Sequence, residues 1–569
     1  MEKFGGVFQM RVLDWADNPS ADRGIHFFQN DQGWIFRPYS ELAGQAAAVA
    51  ALLIEEGAAP GDVVSLLISE VEDFVPAFLG VMMAGLTPSP IASPVTFQGV
   101  GQYAVHVAEL VKTAGSALLL ADADLVEVAA QAALAAGRGR AVALPPLASL
   151  PAAEVLRRAE PELALLQFTS GSSGVPKGVK VSPENLAENV AAIHGWLGIT
   201  PEDSVSSWLP MYHDMGLVGT FLGSVVAQID LWLLTPLEFI RSPLRWLETH
   251  GSYGATVTTA PNFGYAYTAR RVRPEQLSGM DFSRWRVAMN GAERIVPRAA
   301  ADFAALLGPQ GFRPEVFAPC YGLAESTLAV TGVRPGSGAR AVRLTGGLRI
   351  GAPVTVTEQG VLGTALEEDG PAWLTSCGAP VPGATVEIVD EDGGALPDGA
   401  FGEIRVRGAS VALGYQSLQT GASANFTADG LRTGDSGFLL DGELYVVGRV
   451  GDSLKVRGRK VHAEDVEAAL TAVPGIPVGR CAVALGAGED SLHAVVLIEA
   501  AGDQWLEPAT AVLRSATDET VKATVLRVQR GGIPRTSSGK PRRRLIWRQY
   551  QDGELVGDLL HGELPTAVA

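Results

Sequence analysis

The sequence predicts an α/β fold, with a large N-terminal unit of helix-flanked β-sheets and a smaller α+β unit at the C-terminus. Three observations carry this. Apolar runs of strand length alternate with helical stretches early in the 569-residue chain, as βαβ crossovers onto a parallel sheet require. Hydrophobic residues make up 47%, enough to bury more than one core and to exclude global disorder. Beyond about residue 450 the elements shorten and the chain end turns basic, which marks off residues 453–569.

The elements follow in order. Leu42, Ala46, Val49 and Leu53 recur at helical spacing within 41–56, with Ser40 as the expected N-cap. Residues 63–68 read as a strand, 71–84 as a helix and 87–91 as the next strand. Residues 116–121, 141–144 and 163–168 are further buried-strand candidates. Ser182-Pro183 opens a helix with a serine cap and proline in the first turn. Residues 333–375 are Gly-rich with short β-like runs and read as an irregular or hairpin insertion. In the C-terminal unit, 461–472 reads as a helix, and 481–485 and 493–499 as strands.

The net charge of −18 repels phosphate backbones, so nucleic acid is not an expected partner. Cys320, Cys377 and Cys481 form no CxxC pair, which argues against a disulfide framework or a zinc knuckle. The longest apolar stretch, 217–234, is interrupted by Gln228 and Asp230 and is too short for a membrane span. The N-terminus shows no secretory pattern. A soluble cytoplasmic protein is the expectation.

The strongest chemical signal is the strand ending in Gln167-Phe168 followed by Thr169, Ser170, Gly171, Ser172, Ser173, Gly174, Val175, Pro176 and Lys177. Glycines let backbone N–H groups approach phosphate oxygens, hydroxyls add donors, and Lys177 adds charge. It is not a Walker A loop, because GxxxxGK[ST] is absent.

This loop resembles the phosphate loop of the adenylate-forming superfamily. Five more motifs stand in the superfamily's order: Trp208–Gly216 (WLPMYHDMG), Asn290-Gly291-Ala292-Glu293, Cys320–Ser326 (CYGLAES), Arg432–Asp435 with Gly448-Arg449, and Pro534–Lys540 (PRTSSGK). The wording SWLPMYHDMGLVG and CYGLAESTL is most similar to fatty acyl-AMP ligases, as is the long interval between Glu325 and Cys377. The resemblance implies an adenylation domain over 1–448, including a small β-barrel and the insertion at 333–375. A hinge at 449–452 and a mobile C-terminal domain at 453–569 complete it. It implies ATP as substrate with Mg²⁺, a carboxylic acid as second substrate, and an acyl carrier protein as thiol acceptor. Free CoA as acceptor is the alternative.

The resemblance also assigns roles. Lys540 and His213 act on the reacting carboxylate and phosphates, and Glu325 holds Mg²⁺. Tyr321 and Gly322, with Asn290, Gly291, Ala292 and Glu293, border the adenine. Asp435 and Arg449 take the ribose and phosphates, while Met215, Asn262 and Phe263 border the acyl chain. Arg457, Arg459, Lys460 and Arg542 to Arg544 are candidate docking cations on an acidic protein. The run Arg457–Asp465 departs from the RGRNxYPxD-like pattern of fatty acyl-AMP ligases.

Overall fold

The computed structural model describes residues 11–92, 100–154, 158–169, 177–345, 348–366, 373–417, 423, 425–456, 459–477, 479–488, 491–517, 520–536 and 539–565. The largest sheet has nine strands, and its six central strands are parallel. In spatial order these are Phe317–Gly322, Val287–Asn290, Val257–Ala260, Ser204–Ser207, Asp230–Leu233 and Gly24–Gln29. These strands are largely buried, and besides apolar residues they carry buried Ser206, Ser207, Thr258 and Thr259. A second, all-parallel sheet orders Thr87–Pro90, Val63–Leu67, Leu118–Ala121 and Arg140–Ala143, as the βαβ pattern predicts.

Leu165–Thr169 and Lys177–Val181 are antiparallel, with Thr169 opposite Lys177. A five-stranded antiparallel sheet carries Gly402–Arg407, Gly430–Leu440 and Glu443–Arg449. Arg340–Thr345 and Thr355–Val361 of the 333–375 segment form a hairpin, joined by Leu374–Thr375. Val342 and Leu374 share a core with Phe401, Phe438 and Tyr445, which ties this hairpin to the five-stranded sheet. C-terminally, Cys481–Ala487, Leu492–Ile498, Val521–Arg527 and Asp558–His561 form a four-stranded sheet around its own core.

Two local expectations need correction. The helix expected from Glu41 spans Tyr39–Glu55, and Ser40 is not its cap. Backbone carbonyls of Arg23 and Ser20 take the first-turn N–H groups of Tyr39 and Ser40, so no side-chain cap is needed. The helix expected at 461–472 begins at Ala463, because Arg459–His462 pairs with Ser453–Val456 as a hairpin. The apolar stretch 217–234 is divided among a π-helical Met215–Leu222, a short helix Gly223–Ala227 and the strand Asp230–Leu233. Among the described residues no helix is long and apolar enough to cross a membrane.

Candidate active site

In open α/β sheets ligands gather beyond the carboxyl ends of parallel strands, and the motifs stand there. Trp208 to His213 follow Ser207, Asn262 follows the strand ending at Ala260, and Gly291 to Glu293 follow Asn290. Tyr321 and Gly322 close the strand Phe317–Gly322, with Glu325 just beyond. These ends open into one cleft of ≈ 2020 Å³, bordered also by Thr169, Lys177, Met215, Phe263, Asp435, Arg449 and Lys540. Ser170, Gly171, Ser172, Ser173 and Gly174 lie outside the described residues.

Asp435 organises one wall. Its buried carboxylate accepts the Tyr321 hydroxyl at 2.7 Å and faces Arg449 Nε at 3.1 Å. The pairing is built by register, since Asp435 lies opposite Arg449 on adjacent antiparallel strands. Burial and the neighbouring Asp435 charge push the Tyr321 phenol up, so it stays a neutral donor. In the same cleft, the Tyr415 hydroxyl donates to Glu325 Oε1, and Lys177 Nζ lies 5.1 Å from the Tyr415 ring centre. Tyr415 was not singled out in the sequence. Its strand pairs with Lys177–Val181 across more than two hundred residues, and no local pattern announces that.

His213 Nδ1 stands 2.6 Å from Asp214 Oδ1. The Met215 N–H reaches the same nitrogen at 3.3 Å, and together the two contacts orient the ring. Burial works to raise the Asp214 pKa, but His213, the Met215 N–H and Lys540 together hold it below the usual value. Asp214 thus stays ionised at the head of the π-helix, a geometry often found at functional sites. Lys540 reaches the cleft with solvent access, while the surrounding protein and Arg449 lower its pKa against the opposing pull of Asp214, Asp435 and Glu293.

The structure does not bring all expected residues to the cleft surface. Asn290 is fully buried, with neither amide atom hydrogen-bonded among the described residues, and Gly291 packs on Cys320, where a Cβ would stand 2.9 Å from Sγ. Both lie behind the wall that Ala292 and Glu293 present. Glu293 Oε1 accepts the Phe263 N–H at 2.5 Å, and Asn262 Oδ1 accepts the Val296 N–H at 3.0 Å. These two side chains brace the 291–296 segment and the start of the helix Asn262–Arg271. Phe263 lies on the cleft beside Tyr267, its ring centre 5.4 Å away, and Met215 is nearly buried on the same apolar side.

Parallel-strand ends, a carboxylate paired with tyrosine and arginine, and Lys540 from the C-terminal part of the chain meet at one cleft, the arrangement of an adenylate-forming enzyme. Comparison with known proteins agrees. The family model described as AMP-binding enzyme matches residues 15–416, and the chain belongs to that family. A solved structure from a study of fatty acyl-adenylate ligases of E. coli and L. pneumophila superposes with a TM-score of 0.83. It is 31% identical and covers 95% of this chain and 97% of its own. A Caulobacter vibrioides protein named "Putative acyl-CoA synthetase" is 34% identical over 93% of this chain and 95% of its own. The medium-chain-fatty-acid–[acyl-carrier-protein] ligase JamA of Moorena producens is 34% identical over 69% of this chain and 68% of its own.

Proposed function

We propose that this enzyme activates a fatty acid with ATP to the acyl-adenylate, releases pyrophosphate, and passes the acyl group to the phosphopantetheine thiol of an acyl carrier protein. The observation that carries the first step is Asp435 holding Tyr321 and Arg449 across the cleft from Lys540. A carboxylate is already ionised at neutral pH. Its oxygen attacks the α-phosphorus directly as the bond to the bridging β-phosphate oxygen breaks, and pyrophosphate leaves with that electron pair. The enzyme's work is alignment and charge neutralisation. Lys540 supplies a positive charge beside the reacting oxygens, and His213, held by Asp214, sits between the acid and the phosphates. Asp435 accepts the ribose hydroxyls, and the Tyr321 ring stacks on adenine.

Glu325 fits Mg²⁺, being a carboxylate on the cleft wall already oriented by Tyr415. Among the described residues no three His, Cys, Asp or Glu cluster as a protein-only metal cage. One carboxylate sharing the ion with phosphate oxygens and water suits a hard cation that dehydrates reluctantly. Bound there, Mg²⁺ would offset charge on the phosphates.

In the second step the small unit 453–569 swings about 449–452, and a thiol attacks the acyl carbon with AMP as leaving group. JamA's name supports a carrier protein as acceptor, as does the packed hairpin in 333–375, which restricts a swing more than an open loop would. The Caulobacter relative's name favours a second reading with free CoA as acceptor. The test is ATP–pyrophosphate exchange over a panel of fatty acids, followed by thioester formation with CoA and with holo carrier protein. No exchange with any fatty acid refutes the substrate class. Equal rates with CoA and carrier refute the acceptor.

A further inference from the structure

We infer that Arg294 is a positioning residue whose ion pair with Asp465 latches the small C-terminal unit in the pose that delivers Lys540 to the cleft. The inference rests on the role of Lys540 proposed above. Arg294 follows the nucleotide-site segment Gly291–Glu293, and its Nη1 is paired with Asp465 Oδ1, in the first turn of the helix Ala463–Thr471. The pair therefore joins the large sheet's cleft wall to the unit that carries Lys540.

Both ends of the latch are stiff. On the large-sheet side, Ala292 holds a left-handed φ of 67°, and Glu293 and Asn262 brace the segment through the Phe263 and Val296 N–H groups. On the small-unit side, Glu467 lies two residues beyond Asp465 and binds Arg543, with Nη2–Oε2 at 2.8 Å. Arg543 also binds Asp452 at 3.1 Å and Glu464 at 2.9 Å. Arg543 is only three residues from Lys540. Force at Arg294 thus reaches Lys540 through two ion pairs, two residues of helix and the three-residue step from Arg543 back to Lys540. The Arg294 side chain is 19% exposed and that of Asp465 40%, so solvent screens the pair without abolishing it.

The experiment is a double-mutant cycle in the full-length enzyme. Adenylation is followed by pyrophosphate exchange, and acyl transfer is measured separately from preformed acyl-adenylate. Arg294→Ala should lower kcat for adenylation about 3–5-fold, the span of one such ion pair, with KM for ATP unchanged. Arg294→Glu should lower it more than tenfold, and the reversed pair Arg294→Glu with Asp465→Arg should recover most of the loss. In a Lys540→Ala background, Arg294→Ala should cost nothing further. Transfer from preformed adenylate should stay equal or quicken, because that step does not need this pose. Additive losses with Lys540→Ala, no recovery in the reversed pair, or a loss appearing only in KM each overturn the latch. If Lys540→Ala alone adenylates normally, the proposed role of Lys540 fails instead, and the two failures are distinguishable.

Discussion

Replacing Lys540 with alanine tests the proposed chemistry most directly. The ammonium faces Asp214, Asp435 and Glu293 across the cleft, and Arg449 opposes it. Desolvation by the surrounding cleft walls is the largest influence, although the side chain keeps solvent access, and the net result is a pKa below the ordinary 10.5. A charge held among fixed groups contributes far more in the transition state than one in water. Its removal should cost about 2.7–4 kcal/mol, or roughly 10²–10³ in kcat, the scale of losing one oxyanion donor. ATP binding should persist, because Tyr321, Asp435 and Arg449 stand on other strands. The pH profile adds an independent check. Adenylation needs the protonated amine, so its rate falls as pH rises through a pKa below 10.5. Bound phosphates favour the cation, so the alkaline limb of kcat should lie at higher pH than that of kcat/KM. Pyrophosphate exchange from pH 6 to 10 reads both limbs, and thermal melts confirm folding. An alanine variant within fivefold of wild type, or one keeping the same alkaline limb, would refute the reasoning.

Glu325→Gln keeps the shape that Tyr415 contacts but removes the charge, and should lower Mg²⁺-dependent adenylation about tenfold, on the scale of one charge-assisted bond. Unchanged rates across an Mg²⁺ titration would remove Glu325 as a ligand. Gly448→Ala should reduce adenylation several-fold while the fold survives. Its Cβ would stand 3.0 Å from Glu464 Oε2 and 3.1 Å from His462 Nδ1, and overpacking typically costs about 1–3 kcal/mol. A wild-type exchange rate would show that the contact gives way freely. Burial pushes Glu464 up to about 7 from 4.5, against the pull of Arg543. The folded state therefore holds that proton more tightly, so this stability is full below about pH 4.5 and is lost as pH rises through 7. Glu464→Gln should narrow the Tm gap between pH 5 and pH 8, by up to about 3 kcal/mol of stability. An identical gap in both proteins would contradict it.

Much of the fold was legible because burial leaves a one-dimensional trace. The apolar runs at 116–121, 141–144 and 163–168 end within two residues of the strands Leu118–Ala121, Arg140–Ala143 and Leu165–Thr169. The failures lie where tertiary contacts replace a local rule. Carbonyls from distant residues relieve the helix at Tyr39 of its cap, and a hairpin partner takes Val461 and His462 out of the helix. The site divides the same way. Residues fixed by motif wording, such as Glu325, Asp435 and Lys540, meet at one cleft. Those defined by who faces whom were not legible. Tyr415 acquires its place from cross-strand pairing, and Arg294 from contact with Asp465, 171 positions away. Asn262 and Glu293, read as pocket and adenine residues, line the cleft, and one oxygen of each is also engaged by a backbone N–H group. A sequence motif records that a residue type is wanted without saying which of its atoms is used.

The basic run at Arg542 to Arg544 shows how one stretch of sequence divides its labour once it is folded. The helix Arg543–Gln551 begins at Arg543, and Arg542 precedes it with non-helical backbone, so the three adjacent arginines leave the chain in different directions. Arg543 turns inward and is neutralised by Asp452, Glu464 and Glu467, which removes it from any docking surface. Arg542 and Arg544 remain exposed at the edge of the cleft, and Arg548, one turn on from Arg544, lines the same cleft. On a chain of net charge −18, cations left unneutralised at a cleft mouth act locally, because screening confines the surrounding acidic field to roughly 8–10 Å. An acidic carrier would meet repulsion over most of this surface and attraction only there. That contrast favours one approach direction, set by the start of the helix at Arg543, which separates the inward arginine from its outward neighbours.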